Sequence, residues 1–156
     1  MDRIFSVCEA ASQVGEEILV HALQCLREIS TLEYESIQWY FDRIWSTTSQ
    51  LAEHPAPEVG AQAYEFWTTL TEDETERKLK NVTLMNYVVS GKDSLIQLIL
   101  RGLLVTNFEE DDDGEDWGHA LSAGTCLQKL AVLIGNDVMR PVLDYVDANI
   151  STNNWH

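Results

Sequence analysis

Basic residues are scarce in this chain. Ten Lys and Arg stand against 26 Asp and Glu in 156 residues, giving a net charge of −16. Phosphate binding needs clustered Lys and Arg, so no nucleic-acid partner is expected. An anionic membrane surface repels such a chain too, and no membrane partner is expected. The cysteines are few, odd in number and far apart (Cys8, Cys25, Cys126). They lack the Cys-x-x-Cys spacing of a zinc site and read as reduced, buried residues on apolar helix faces. His21, His54, His119 and His156 include no pair at a helical metal spacing, so no metal site is expected. His21, among apolar residues, reads as a satisfied core or edge residue. No glycine-rich phosphate loop occurs, and no Ser or Cys nucleophile has a recognisable setting, so neither catalysis nor a cofactor is expected. No apolar run is long enough to span a bilayer, and the N-terminus lacks a signal-peptide layout. A soluble, intracellular protein is the expectation. No segment alternates with the period of two that marks strands, which leaves an all-α chain.

What the sequence does have is helical patterning. Its apolar fraction of 45% and charged fraction of 23% suit one globular domain. Seven helices are expected. The first covers Asp2 to Ala11, with a break at Ser12 to Gly15. The second runs from Glu16 to Thr31 on a stripe of Ile18, Ala22, Leu26 and Ile29. The third, Glu33 to Ala52, carries Ile37, Tyr40, Phe41, Ile44, Trp45, Thr48 and Leu51, and the prolines at 55 and 57 stop it. The fourth begins near Pro57, a residue suited to a first turn, with Val59, Ala63, Phe66, Trp67 and Leu70 inward. The polar run Thr71 to Lys80 reads as a frayed end or loop. The fifth spans Leu84 to Val105, bent at Ser90-Gly91, and from Leu95 it is apolar nearly all round. The sixth is Trp117 to Ile134, with small residues at Ala120, Ala123 and Gly124. Gly135-Asn136-Asp137 ends it and caps the seventh, which continues to Ile150 with Val138, Val142, Tyr145, Val146 and Ile150 inward.

Between the fifth and sixth helices lies an acidic run over residues 107–117. Glu109, Glu110, Asp111, Asp112, Asp113, Glu115 and Asp116 fall in eight positions, broken only by Gly114, and Trp117 follows. No Lys or Arg occurs between Arg101 and Lys129. Like charges repel each other and resist helix, so the run reads either as a solvated linker or as a loop offered to a basic partner. Trp117 is either part of that loop or an anchor of the sixth helix against the fifth. Glu109-x-Asp111-x-Asp113-Gly114 imitates the first half of a calcium loop, but the twelfth position is Ala120 where a bidentate Glu is required.

The helices also recur. Ile18, Val59, Trp117 and Trp155 stand early in a helix or where one would begin, at spacings of 41, 58 and 38. The long interval is the one that holds the acidic insertion. Paired helices at about 40–47 residues suggest a HEAT or armadillo solenoid. A closed seven-helix bundle is the competing architecture.

Several short stretches resemble importin-β (karyopherin-β), the nuclear import receptors built of HEAT repeats. They are Val7-Cys8-Glu9-Ala10, Glu65-Phe66-Trp67, the acidic run into Asp116-Trp117, and Ser122 to Gln128. In the tail, Pro141-Val142-Leu143 and Asn149-Ile150 to Asn154-Trp155 add to these. Leu19, Gly60 and Gly118 stand where an Arg commonly follows the Val anchor of HEAT inner helices. The resemblance implies an all-α HEAT-repeat superhelix (solenoid) fragment over residues 1–156, with about three repeats plus a partial one. It implies a non-catalytic import receptor at work in cytoplasm, nucleus and nuclear pore. Its partners would be the small GTPase Ran in its GTP form and the basic segment of importin-α or a basic cargo. Glu109, Glu110, Asp111, Asp112, Asp113, Glu115, Asp116 and Trp117 would form the contact loop. Nucleoporin Phe-Gly peptides would use a groove lined by Ile4, Phe5, Ile37, Tyr40 and Phe41. A HEAT scaffold for another assembly, such as a phosphatase scaffold, is the alternative.

Overall fold

The computed structural model describes residues 1–104 and 117–150, with Trp117 and Ile150 in their backbone only. The described residues contain no strand, and the expected all-α class holds. Eight α-helices follow in order: α1 Asp2–Glu9, α2 Glu16–Leu32, α3 Phe41–Ala52, α4 Pro57–Lys80, α5 Tyr87–Ser90, α6 Lys92–Leu104, α7 Trp117–Ile134 and α8 Met139–Ile150. Short 3-10 turns cover Ala11–Gln13, Tyr34–Trp39 and Gly135–Val138. No described helix is long and apolar enough to cross a membrane.

The helices form two layers. α2, α4 and α7 make one, with α4 in the middle, and α1, α3, α6 and α8 make the other. Each helix of the first layer packs on its predecessor in the second: α1 with α2, α3 with α4, α6 with α7. Within the first layer the helices run parallel, because contact positions rise together along each pair: past Arg27 of α2, Thr31 shares a pocket with Leu70 and Asp73, and Tyr34 lies under Arg77. Arg27 faces Glu65 from α2, while His119 meets Gly60 and Lys129 reaches Glu72 from α7. This is an open stack of antiparallel helix pairs, not a closed bundle.

The departures from sequence expectation have local causes. The third helix splits, since Tyr40 (φ −122°, ψ 3°) ends a 3-10 segment before α3 begins. Tyr34 and Ile37 on that segment are buried, so the tighter turn still delivers its apolar side chains. The polar run after Leu70 is three more turns of α4 and not a loop. Asp73–Arg77 and Glu76–Lys80 pair one turn apart, Arg77, Lys78 and Lys80 sit at the negative end of the helix dipole, and Asn81 closes it in the left-handed region. The fifth helix breaks at Gly91 as expected but also starts later, at Tyr87. In α2 the buried stripe is Leu19, Ala22, Leu23, Leu26 and Ser30, whereas Ile18 is 54% exposed. The proposed anchor at 18 is therefore one residue off, and Leu19 is the buried counterpart of Val59. His21 lies on the exposed side, bonded to Gln24, and Cys25 is exposed while Cys8 and Cys126 are buried. Val138, on the 3-10 turn before α8, and Val142 on α8 face the core as expected, but Val146 is 39% exposed.

The extension of α4 brings an acid into the core. Glu74 is fully buried. Its Oε1 accepts from the Tyr34 hydroxyl (2.9 Å) and the Tyr87 amide (2.6 Å), and its Oε2 from the Val88 amide (3.2 Å). The Tyr34 hydroxyl in turn accepts from the Met85 amide at 2.9 Å. One carboxylate thus caps α5 and ties the chain after α4 back onto α4. Burial drives the Glu74 carboxyl above the usual carboxylate range, and the bonds from Tyr34, Tyr87 and Val88 offset only part of this. A native pKa above the unfolded one contributes stability at low pH that is lost as pH rises through the native value. Glu74→Gln removes that titration. In urea unfolding from about pH 4 to about pH 7, the variant should gain on the wild type as pH rises. A pH-independent difference would show that Glu74 does not titrate with folding. Glu74→Ala, which orphans three donors, should cost at least about 2 kcal/mol at any pH in that range.

Candidate functional site

Parallel packing puts the N-terminal ends of α2, α4 and α7 at one end of the layer. Exposed carboxylates already sit there: Glu16 and Glu17 in the first turn of α2, Glu58 in that of α4. The acidic run feeds directly into α7. Glu109, Glu110, Asp111, Asp112, Asp113, Glu115 and Asp116 lie outside the described residues, as does the side chain of Trp117. The structure does describe what fixes the run's two ends. On the upstream side, Tyr64 of α4 donates to the Leu98 carbonyl at 3.2 Å, and Gly102 makes room for that phenol. A Cβ at Gly102 would stand 2.2 Å from the Tyr64 oxygen. Burial pushes the Tyr64 hydroxyl up to about 12, with the Cys126 thiol and Glu53 adding to the effect.

On the downstream side His119, two residues into α7, is buried against α4. Its Nε2 lies 2.9 Å from the Ala52 carbonyl at the end of α3, so Nε2 carries the proton and donates. This bond satisfies one of the orphan carbonyls that end a helix. The imidazole stands edge-on to Tyr64, with centroids 5.2 Å apart, and rests on Gly60, where a Cβ would fall 2.3 Å from His119 Cδ2. In the sequence His119 is one of four scattered histidines. The only signal for its role was Gly60 in a helix interior, which costs stability unless something must pass close.

A second acidic feature runs down α4. Glu58, Glu65 and Glu72 recur every seven residues on its solvent side, and Glu76 follows one turn later. Arg27 reaches Glu65 (3.9 Å) and Lys129 reaches Glu72 (2.6 Å). Basic groups elsewhere are held in the same way. Arg43 bonds Asp2 and Glu9 at 2.8 Å each, Lys92 pairs with Asp137, and Arg101 with Glu53 at 3.2 Å.

The residues expected to line a groove between the first and third helices divide in two. Phe5 and Ile37 have no exposed surface. Tyr40 stacks on Phe5 at 6.0 Å, and the Arg43 guanidinium covers the same ring at 4.5 Å. Ile4, Tyr40 and Phe41 are the members that still meet solvent, and all three pack against the core. Trp39, next to Tyr40 in sequence, is 77% exposed because the 3-10 segment turns it outward. Among the described residues no group of His, Cys, Asp and Glu could hold a metal ion. Burial pushes the Cys8 thiol up to about 11, with Glu9 beside it, and that of Cys126 up to about 12. Both thiols are therefore protonated near neutral pH.

The close fit of Gly60 and His119 can be measured. Gly60→Ala should displace the imidazole and break the Ala52 bond, at a cost of about 2 kcal/mol. With His119→Ala already in place the same substitution should cost far less, so a double-mutant cycle by urea unfolding should be strongly non-additive. Additive costs would mean that the two residues do not press on each other.

No family model matches the chain. Among individual proteins, importin subunit beta-1 of Schizosaccharomyces pombe is 31% identical over 162 residues, and that of Saccharomyces cerevisiae 30% over 157. The Arabidopsis thaliana protein is 27% identical over 158. Each comparison covers 96% of this chain but only 18% of the relative. A solved structure superposes with a TM-score of 0.80 over 97% of this chain and 19% of its own, at 28% identity. In it, Kap95p binding induces the switch loops of RanGDP to adopt the GTP-bound conformation. With sequence and backbone agreeing along nearly the whole chain, this is an importin-β-like (karyopherin-β-like) HEAT-repeat segment, spanning 18% of the length of the relatives it matches.

Proposed function

We propose that the chain serves nuclear protein import as a non-catalytic receptor module that binds Ran and basic import partners. The observation that carries this reading is the likeness to importin subunit beta-1 and to Kap95p over 96–97% of the chain. The helix pairs α1/α2, α3/α4 and α6/α7 would be three successive repeats over residues 1–156, with α8 opening a fourth. The acidic run at 107–117 precedes α7 in sequence, as Glu16, Glu17 and Glu58 stand in the first turns of α2 and α4. Several carboxylates in one region attract Lys and Arg over a Debye length and raise the rate of encounter. The basic segment of importin-α, or a basic cargo, has the matching charge. Ran in its GTP form would meet the same layer, and the receptor would work in cytoplasm and nucleus and pass through the pore. Ile4, Tyr40 and Phe41 are the part of the proposed Phe-Gly set placed to touch a nucleoporin peptide.

Two measurements test this. Binding to Ran loaded with GTP should be tighter than to Ran loaded with GDP, compared as affinities because the neighbouring structure involves the GDP form. Equal and negligible affinities would favour a HEAT scaffold for an unrelated assembly. Replacing Asp111, Asp112, Asp113 and Asp116 by Asn should slow association with a basic partner about tenfold at low salt and leave it unchanged at high salt. Association kinetics that ignore both the substitutions and the salt would mean the run is an inert linker.

A further inference from the structure

In a chain of net charge −16, one stretch has the opposite sign. Residues 77–92 carry Arg77, Lys78, Lys80 and Lys92 and no acid. They take in the last turn of α4 and the connection to α5, where residues 82–86 belong to no helix. Val82, Thr83 and Met85 are exposed there. Thr83 therefore presents a hydroxyl outside regular structure, three residues after Lys80.

Kinases that choose substrates by charge read a Lys or Arg shortly before the acceptor, on a segment laid out in extended form. Ser6, Ser30, Ser46 and Thr83 have a basic residue three positions earlier, namely Arg3, Arg27, Arg43 and Lys80. The fold separates these four. Ser30 is buried in α2, and Ser6 and Ser46 lie inside α1 and α3. The Ser6 hydroxyl also donates to the Asp2 carbonyl at 3.1 Å. Offering any of these three requires a helix that carries buried side chains to unwind. Thr83 requires much less. Its segment is held by the Val82 amide on the Arg77 carbonyl (3.1 Å), by Arg77 on the Thr83 carbonyl (3.2 Å) and by the Met85 amide on the Tyr34 hydroxyl (2.9 Å). Releasing these bonds leaves the body of α4 intact, which is a local opening of low cost.

We infer that Thr83 is a phosphorylation site for a kinase selecting a basic residue three positions before the acceptor, and that Arg77 receives the phosphate. In the reaction the γ-phosphoryl group of magnesium-bound ATP passes to Thr83 Oγ1. The bond to ADP breaks as the new P–O bond forms, and the hydroxyl proton goes to the kinase's catalytic Asp. The receiving cation is already in place. Arg77 Nε donates to Asp73 at 2.7 Å, and the guanidinium lies over the Tyr34 ring at 3.8 Å. Held on two sides, it points its Nη1 at the backbone of Thr83, so a phosphate on that residue comes within its reach. A planar guanidinium suits phosphate oxygens, and an anchored one loses little freedom in binding them. The modification adds negative charge to the one stretch that now lacks it, at the end of α4 opposite its acidic first turn.

The folded chain, incubated with magnesium ATP and the catalytic subunit of a kinase of this selectivity, tests the inference by mass spectrometric site mapping. Short peptides around Ser6, Ser30, Ser46 and Thr83 show what the same kinase does without the fold. The peptides should all accept phosphate, whereas the folded chain should take one phosphoryl group, on Thr83. Lys80→Gln should slow this about tenfold, and Thr83→Val should abolish it. A folded chain that takes no phosphate, or takes it on Ser6 or Ser46 as readily as on Thr83, would overturn the site. The role of Arg77 is read separately by phosphorus NMR. A phosphothreonine ordinarily loses its second proton near about pH 6. In the folded phosphorylated chain that titration should move to lower pH than in the Thr83 phosphopeptide, and Arg77→Gln should return it to the peptide's value. Identical titrations in all three would show that Arg77 does not hold the phosphate.

Discussion

The rest of the structure depends on helix α4 being buried along almost its whole length. It touches α2 and α7 within its own layer and α3 across the layers, and it carries Trp67, Tyr64 and Phe66 in the interior. A helix enclosed on several sides must hide its polar groups as well as its apolar ones. Thr68, Thr71 and Thr75 donate to carbonyls one turn back on the same helix, which disposes of three hydroxyls without outside partners. The Trp67 indole donates to Thr48 Oγ1 at 3.0 Å, and Thr48 passes its own proton to the Ile44 carbonyl. Glu74 receives three donors at once. Gln62 Oε1 is the buried side-chain atom of α4 left without a hydrogen-bond partner; with the others met, α4 can be flanked closely by its neighbours, and the two glycines at 60 and 102 make the contacts closer still.

Electrostatics follows from that packing. With the interior holding one satisfied carboxylate, the remaining charge lies on the outside, and the few basic residues pair there with acids brought near by the fold. Arg43 joins α1 to α3, Lys92 joins α6 to the turn before α8, and Arg101 joins α6 to the end of α3. Each exposed pair contributes little to folding, but together they decide which carboxylates stay uncompensated. Among the described residues Glu16, Glu17 and Glu58 stay exposed where α2 and α4 begin, and Glu33 and Glu35 where α2 ends. A field of one sign at one end of a stack acts on encounter rate and partner choice much more than on the stability of helices held by Leu, Ile and Trp.

How legible this was in the sequence varied with the kind of interaction. Helix α7 was read to the residue, because Trp117 to Ile134 is apolar in pattern and Gly135 (φ +63°) has to end it. The all-α class and the stacked pairs were legible for the same reason, periodicity of apolar residues. Thr71 to Lys80 was misread because propensity and i,i+4 pairing decide that stretch, while an apolar stripe is missing from it. The offset of one residue between Ile18 and Leu19 came from i,i+4 spacing, which fits either of two overlapping stripes until a neighbouring helix selects one. Glu74 and His119 were invisible as functional or structural features. Their roles depend on partners 40 and 67 residues away, Tyr34 and Ala52, and no local pattern encodes such a distance.

The place of the acidic run follows from the way a layered stack tolerates insertion. Every passage from the second layer to the first, α1 to α2, α3 to α4 and α6 to α7, turns at the end where the first-layer helices begin. The first two passages are short, and the third carries twelve residues between Leu104 and Trp117. Lengthening a connection costs only about 0.6 kcal/mol per doubling, provided that both its ends are held. Here Tyr64 and Gly102 seat the end of α6, Leu103 lies against Gly124, and His119 ties the first turn of α7 to the end of α3. The stack therefore does not need the insertion for its own stability. Seven carboxylates in eight positions repel one another and resist helix, so a connection between helices is the position in the sequence that tolerates them. The close contacts around α4 thus hold the helices on both sides of the acidic run, and core packing fixes the elements that the run joins.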